Sequence, residues 1–317
     1  MAAYSRGMQL QQLRYFAAVA ETRNFTRAAD LTHVSQPSLS QQIRSLEQEL
    51  GAELFHRTRG NITLTDAGAT LLPLARRILA DADSARLAVQ EVVQLRRGRV
   101  RLGAPPSLCG SLVPDVLSAF RRSHPGVELA VREGGSQDLV GALGSGELDL
   151  ALIIAPEAGE VAPPALEVTE LLHEQLVLVS STRLPRKRVR VEELRNRPLV
   201  MFRQGYALRE SALAACRAAG FEPQFAVEGG ELDAVLGFVR AGLGPAVVPG
   251  MVAARSGLHL AAFAGPGLGR TIALAHGRDV PLTRAAAQLR ATLLDHLRTA
   301  AAQGSLPSGT RLLPTAG

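Results

Sequence analysis

Two cysteines, Cys109 and Cys216, stand among 317 residues, too few for a disulfide framework or a thiolate metal cluster, so a reducing compartment is the natural expectation. Lysine is nearly missing too. Lys187 is the only one, so a formal charge of +6 is almost entirely guanidinium. Arginine suits bidentate contact with phosphates and base edges, although a coding bias towards arginine gives the same composition. No run of about 18 uninterrupted apolar residues occurs, and the N-terminus shows no basic segment followed by an apolar run and a small-residue cleavage site. The expectation is a cytoplasmic protein with no membrane partner.

Signs of catalysis are scarce as well. No Gly-rich phosphate loop ends in Lys, no His/Cys/Asp group has metal-ligand spacing, and Ser107 has no base beside it in sequence. His56, His173, His259, His276 and His296 are scattered through the chain. We expect no enzyme, no cofactor and no metal site. With 46% hydrophobic and 20% charged residues the chain is ordinary soluble globular material, and its length implies at least two cores.

The N-terminal sixty residues are the most informative. Leu10, Leu13, Phe16, Ala17 and Ala20 form an amphipathic helical pattern. Thr26 is the expected N-cap of a second short helix, where Ala28 and Ala29 let another helix cross closely. After the connection from Thr32 to Ser35 comes a third helix, with Ser35 as its N-cap and Pro37 in its first turn. Leu39, Ile43, Leu46 and Leu50 share one face of it; Pro37, Gln41, Arg44 and Gln48 lie opposite, flanked by Gln36 and Ser40. That polar face can pair with base edges and phosphates, or it can simply be solvated. Gly51 ends the helix, Leu54 and Phe55 return to a core, and His56-Arg57-Thr58-Arg59-Gly60-Asn61 leads into the alternating Ile62-Thr63-Leu64-Thr65. The pattern is a hairpin with arginines at its tip, a wing beside the third helix.

The run FTRAADLTHVSQPSLSQQIRSLEQELGAELFHRTRGNITLTDAG resembles the winged helix-turn-helix of LysR-type transcriptional regulators almost position for position. The resemblance implies that Gln36, Pro37, Ser38, Ser40, Gln41 and Arg44 face the major groove of double-stranded promoter DNA. It further implies that the wing arginines Arg57 and Arg59 reach the minor groove or backbone, and that Thr26 and Arg27 touch phosphates.

Thr65 can cap a long helix running to about Arg97, with Gly98 as its stop. Leu71, Ala75, Ile78, Ala82, Ala85, Val89 and Val92 follow a seven-residue repeat along it. The seam suits a second helix, as in a homodimer, or a helix lying on its own domain. It is also similar to the family's linker helix, and the family implies a homotetramer built from two dimers.

Beyond Arg99, short apolar runs alternate with helical stretches: strands at Val100–Leu102, Val127–Arg132, Leu148–Ile154, Gln175–Val179, Leu199–Phe202, Gln224–Val227 and Pro245–Val248. Between them helices are expected at Ser111–Arg122, Ser136–Gly144, Ala207–Ala219 and Glu231–Ala241, and a last helix after Leu282 should return to the first lobe. Such alternation predicts parallel sheets with right-handed crossovers, in two lobes. The fold class expected is α/β: an N-terminal winged helix-turn-helix over residues 8–66, a linker helix over 67–97 and a regulatory domain over 98–303. Its lobes are placed at 98–170 with 280–303, and at 171–279, with a flexible tail at 304–317.

Two such lobes resemble the periplasmic-binding-protein-like effector domain of the same family, with a ligand in the cleft at the carboxyl ends of the strands. Ser107 and Leu108 after the first strand, Ser136 and Gln137 at a helix start, and Phe202, Arg203 and Gln204 at a strand end should line it. The serines match family positions that hold effector carboxylates, and helix N-termini favour anions, so a small anionic metabolite is expected. Each serine can equally be a cap, and Arg203 a solvated charge. Met201 to Cys216 also resembles the corresponding segment of peroxide-sensing members, but the position of their more reactive cysteine is Ala207 here. The expected function is therefore a ligand-controlled DNA-binding regulator. A solute receptor would share the cleft but not the first ninety residues.

Overall fold

The computed structural model describes residues 7–58, 61–94, 98–155, 163–265, 268–278 and 280–314. The chain forms two compact units, Met1–Leu95 with Ala142–Glu147, and Arg96–Gly141 with Leu148–Gly317.

In the first unit, α1 (Leu10–Thr22), α2 (Phe25–Leu31) and α3 (Gln36–Leu50) precede a hairpin of β1 (Phe55–Thr58) and β2 (Asn61–Leu64) and the long α4 (Asp66–Gln94). Leu13, Phe16 and Val19 of α1 share a core with Ala28 and Ala29 of α2, Leu39, Ile43 and Leu46 of α3, and Leu54 and Phe55. The hairpin is antiparallel, pairing Phe55 with Leu64 and Thr58 with Asn61. Gly51 closes α3 in the left-handed region at φ 68°, its N–H donating to the Glu47 carbonyl. Gly68 sits where an added Cβ would fall 2.2 Å from the Leu54 carbonyl oxygen, so only glycine lets α4 start this close to the wing. Thr65 receives the Gly68 N–H on its hydroxyl at 3.0 Å, the capping role its sequence position predicts.

The cap of α2 differs from expectation. Helix α2 begins one residue before Thr26, and the Asn24 side chain accepts from both the Thr26 and Arg27 N–H groups. Asparagine in extended backbone reaches two N–H groups of the first turn, which leaves the Thr26 hydroxyl free.

The seam of α4 is divided. Leu71, Ala75 and Ile78 pack into the core of their own unit, with Ala75 fully buried. Ala85 and Val89 are exposed, Val89 at 64%, and Leu74 joins them at 54%. The reading of a helix lying on its own unit holds for the first half, the second half leaves its seam exposed, and the Val92 side chain lies outside the described ones.

The second unit opens with β3 (Arg99–Ala104), α5 (Pro106–Cys109), α6 (Leu112–Ser123), β4 (Glu128–Glu133), α7 (Ser136–Gly144) and β5 (Leu150–Ile154). Strand β3 lies between β4 and β5, parallel to both. Next come β6 (Leu166–Ser180), β7 (Arg188–Val189), a 3-10 turn (Val191–Leu194), β8 (Leu199–Met201), α8 (Ala207–Ala218), β9 (Phe225–Glu228) and α9 (Leu232–Arg240). The chain closes with β10 (Ala246–Pro249), α10 (Gly250–Ser256), β11 (His259–Phe263), β12 (Gly269–Gly277), α11 (Arg284–Ala302) and β13 (Thr310–Leu312).

The parallel strands are only part of the sheet. Strand β12 runs antiparallel between β5 and β6, and β10, β11 and β13 also pair with β6 antiparallel. The stretch read from sequence as a strand at Gln175–Val179 is thus the end of a much longer one. Residues 166–175 of β6 pair with β12, whereas 176–180 pair with β10 and β11, so a single strand passes from one lobe into the other. The first lobe's core unites Val100, Leu102, Phe120, Leu152, Leu171, Leu172, Ile272 and Leu274 with Leu289, Leu293 and Leu297 of α11. The second gathers Leu176 to Val179, Leu199 to Phe202, Leu213, Val235, Val248 and Phe263. Leu171, Leu172, Ile272 and Leu274, placed in the second lobe by sequence, belong to the first because β12 pairs along β6 before the crossing.

The expected flexible tail is also corrected. Thr310 to Leu312 pair with Leu172 to Glu174, and Leu306 and Leu312 pack on the first core, so burial and ladder hydrogen bonds fix this segment.

Asn24→Ala should lower the stability of the first unit by about 1 kcal/mol in urea unfolding, while Thr26→Ala should stay within about 0.5 kcal/mol. The reverse order would return the cap to Thr26.

Candidate DNA-reading face and effector cleft

The outer face of α3 is continuous and polar. Gln36, Pro37, Ser38, Gln41 and Arg44 are exposed and Ser40 half-buried, with no acidic residue in the first turn. Thr26 and Arg27 are exposed at the start of α2. Arg59 lies outside the described residues.

Arg57 is positioned differently from the others. Its Nη2 donates to Glu47 Oε2 at 2.6 Å, and its guanidinium stands 5.3 Å from the centroid of the Phe25 ring. Glu47, on the last turn of α3, uses its other oxygen to accept the Leu54 N–H at 3.0 Å. Phe25 in turn meets Phe55 edge-on at 5.8 Å. One carboxylate and one guanidinium thus tie α2, α3 and β1 together. Arg57 remains exposed while its guanidinium pairs with Glu47, and the sequence hides this pairing because an arginine beside a wing tip reads as a phosphate contact.

In the second unit the residues singled out from sequence follow the carboxyl ends of β3, β4 and β8. Ser107 is buried, and its hydroxyl accepts from Arg270 Nη2 at 3.0 Å. Arg270 Nε also donates to Glu174 Oε2 at 2.8 Å, and Glu174 Oε1 accepts the Met251 N–H at 2.8 Å. Glu174 is fully buried on β6 at the crossing between lobes. Ser136, at the start of α7, accepts the Ile154 N–H on its hydroxyl at 3.0 Å. Gln137 and Gln204 are exposed.

Two predicted lining residues are packing residues. The Leu108 side chain is fully buried in the first core and its N–H donates to the Pro105 carbonyl, leaving neither for a ligand. Phe202 is likewise buried, stacks on Tyr206 with centroids 4.8 Å apart and accepts Arg209 Nη1 on its carbonyl. Arg203 is exposed and paired with Glu231 at 2.9 Å.

Sequence reasoning missed Arg270, Glu174 and Tyr206. The Tyr206 hydroxyl is pushed up to about 12, first by burial and then by Glu231, with Arg270 pulling it down and Glu133 raising it further. A second-lobe phenol therefore feels charges of the first lobe. Glu174 left little signal, since it stands between His173 and Gln175 in a strand that also carries Glu167 and Glu170; its full burial, which requires a cation, shows only in the fold. Both cysteines are shielded: burial first, then a carboxylate (Glu133 for Cys109, Glu222 for Cys216), holds each thiol up at about 11. Among the described residues no group of three His, Cys, Asp or Glu side chains could hold a metal, and no helix is long and apolar enough to cross a membrane.

A winged helix-turn-helix followed by a long helix and a two-lobed α/β domain defines a DNA-binding regulator with a ligand-binding domain. Residues 10–69 match the bacterial regulatory helix-turn-helix protein, lysR family, and residues 94–298 match the LysR substrate binding domain. Among relatives, the transcriptional dual regulator GltC of Bacillus subtilis is 38% identical over 76% of this chain and 81% of its own. A probable hydrogen peroxide-inducible genes activator of Mycobacterium avium is 36% identical over 84% of this chain and 88% of its own. Full-length OxyR from Pseudomonas aeruginosa superposes with a TM-score of 0.70 at 26% identity, covering 98% of both chains. Full-length CbnR complexed with its target DNA gives 0.67 at 25% identity, over 93% of this chain and 100% of that one. The chain belongs to the LysR family of transcriptional regulators, which are not enzymes.

Because Arg57 is committed to Glu47, Arg57→Ala should weaken DNA binding while leaving the slope of log affinity against log salt unchanged. Arg44→Ala should flatten that slope by about 1. A flattened slope for Arg57→Ala would make it a phosphate contact after all.

Proposed function

We propose that this regulator reads promoter DNA with Gln36, Pro37, Ser38, Ser40, Gln41 and Arg44, and that a small anionic metabolite in the lobe cleft controls it. Thr26, Arg27 and the wing tip at Arg59 take phosphates, and Arg57 fixes the wing to α3. One observation carries the effector assignment. The hydroxyls of Ser107 and Ser136 each already accept from a fixed donor, Arg270 Nη2 and the Ile154 N–H, and neither donates to another described residue. Each keeps its hydrogen and one lone pair, and the hydrogen suits a carboxylate or carbonyl oxygen. Gln137, Arg203 and Gln204 supply the exposed rim of that cleft.

Ligand binding acts by changing the angle between lobes that share β6, and through an oligomer it alters the separation of recognition helices on DNA. The exposed Leu74, Ala85 and Val89 of α4 support a homodimer through that helix, and two dimers make the tetramer we assign. The place of action is the cytoplasm, where the DNA is. Peroxide sensing through thiols is disfavoured: Ala207 stands where the sensing members carry their reactive cysteine, and Cys216 is buried with its thiol held protonated.

Gln36→Ala should cost about 1–3 kcal/mol at the cognate operator and far less on scrambled DNA; equal losses would make Gln36 a backbone contact. Ser107→Ala with Ser136→Ala should abolish the thermal shift produced by the best ligand of a carboxylate screen. A shift that survives both changes would move the effector elsewhere.

A further inference from the structure

Charge is unevenly spread along this chain. Residues 7–66, which hold the DNA-reading unit, carry six arginines against six carboxylates and are formally neutral. Residues 183–197 carry Arg183, Arg186, Lys187, Arg188, Arg190, Arg195 and Arg197 against Glu192 and Glu193, a surplus of five where the whole chain has six.

The structure turns that stretch into a surface. Strand β7 is the last in the order of the nine-stranded sheet, paired on one side with β11. Val189 is buried and Leu184 and Val191 pack on the second core, so Arg188 and Arg190 alternate outwards. Arg183, Arg186, Lys187, Arg188 and Arg190 are all exposed, and none forms a side-chain hydrogen bond or ion pair with a described residue. Neighbouring arginines of the same lobe behave otherwise: Arg203 pairs with Glu231, Arg209 with Glu228 and Arg217 with Glu222. One or two cations would protect a sheet edge from pairing with another chain, and five unpaired ones exceed that need.

We propose that this basic edge binds the phosphate backbone of duplex DNA, giving the regulator the electrostatic attraction that its neutral reading unit lacks. Arginine dominates the patch, as phosphate recognition favours. Between residues 183 and 197 no large apolar side chain is exposed, and on the adjoining β11 Leu260 is exposed alone at 45%, short of the apolar cluster that anchors a protein interface or a membrane surface. Sequence-independent phosphate contacts supply most non-specific affinity and steer association. The inference rests on the DNA-binding role of the first unit.

The test compares full-length wild type with R186A/K187A/R188A/R190A on a mixed-sequence duplex of about 60 base pairs, followed by fluorescence anisotropy from about 50 to 200 mM salt. Each phosphate contact contributes about 0.9 to the slope of log affinity against log salt, so removing four cations should flatten it by about 3.6. R186K/R188K/R190K, which keeps the charge, should retain the wild-type slope and guards against misfolding. Equal slopes for wild type and the alanine variant would overturn the proposal. So would an unchanged slope accompanied by loss of activated transcription in vitro, which would assign the patch to an acidic protein. Arg27→Ala with Arg44→Ala serves as the control for the first unit. If that pair leaves affinity unchanged, the reading of α3 fails, while the slope comparison still decides the patch.

Discussion

A buried carboxylate at a strand crossing constrains the whole regulatory half of the molecule. Glu174 lies where β6 leaves its pairing with β12 and takes up β10 and β11, and it is fully shielded from water. A charge there costs several kcal/mol unless a cation and hydrogen bonds satisfy it. Arg270 from β12 and the Met251 N–H from α10 do so, and the same guanidinium reaches the Ser107 hydroxyl. The hinge strand, the returning strand and the loop after β3 are thereby tied at one point. Ser107, the proposed ligand contact, belongs to this cluster. That proximity gives ligand binding a physical route into lobe geometry, because one side chain takes part in both.

The first unit shows the same economy with a more exposed pair. Glu47 ends α3 with one oxygen on the Leu54 N–H and the other on Arg57, whose guanidinium lies over Phe25. The wing and the recognition helix therefore hold their mutual angle before DNA arrives. Preorganisation of this kind lowers the ordering cost of binding. It also explains why the outer face of α3 can consist of amides, hydroxyls and one guanidinium: the stabilising charges sit on the inner side, and the outer groups carry no packing duty.

Local chemistry was legible in the sequence and long-range pairing was not. The helices of the first unit, the hairpin and the parallel β3, β4 and β5 followed from apolar periodicity, Gly51 and the run of Ile62 to Thr65. Asn24 was missed as a cap because Thr26, two residues on, is also a capping type, though a weaker one, and backbone geometry decides between them. Strands β11, β12 and β13 went unread since each is short or returns from far along the chain, where no local period reports its partner. The cleft was half legible. Ser107 and Ser136 stood out by resemblance, but Arg270 and Glu174 are brought together by a register 96 residues apart. Leu108 and Phe202 were over-read, since adjacency to a site along the chain says nothing of which way an apolar side chain points.

The distribution of charge bears on how such a regulator divides its labour. Specificity needs contacts that differ from one base pair to the next, and these come from neutral donors and acceptors or bidentate arginines held at fixed positions. Long-range attraction needs only net charge, and it gains nothing from sharing residues with the reading face. In this chain the winged helix-turn-helix unit is formally neutral, whereas residues 183–197 hold the surplus, as the proposed division of roles requires. Were the surplus on α3, every phosphate would attract the reader as strongly as its operator, and discrimination would suffer. Held on an edge of the effector domain, the same charge adds an attraction whose reach depends on where that domain is carried. An effector that changes lobe geometry would then also act on this edge, since β7 pairs with β11 and β11 with β6, the strand that both lobes share.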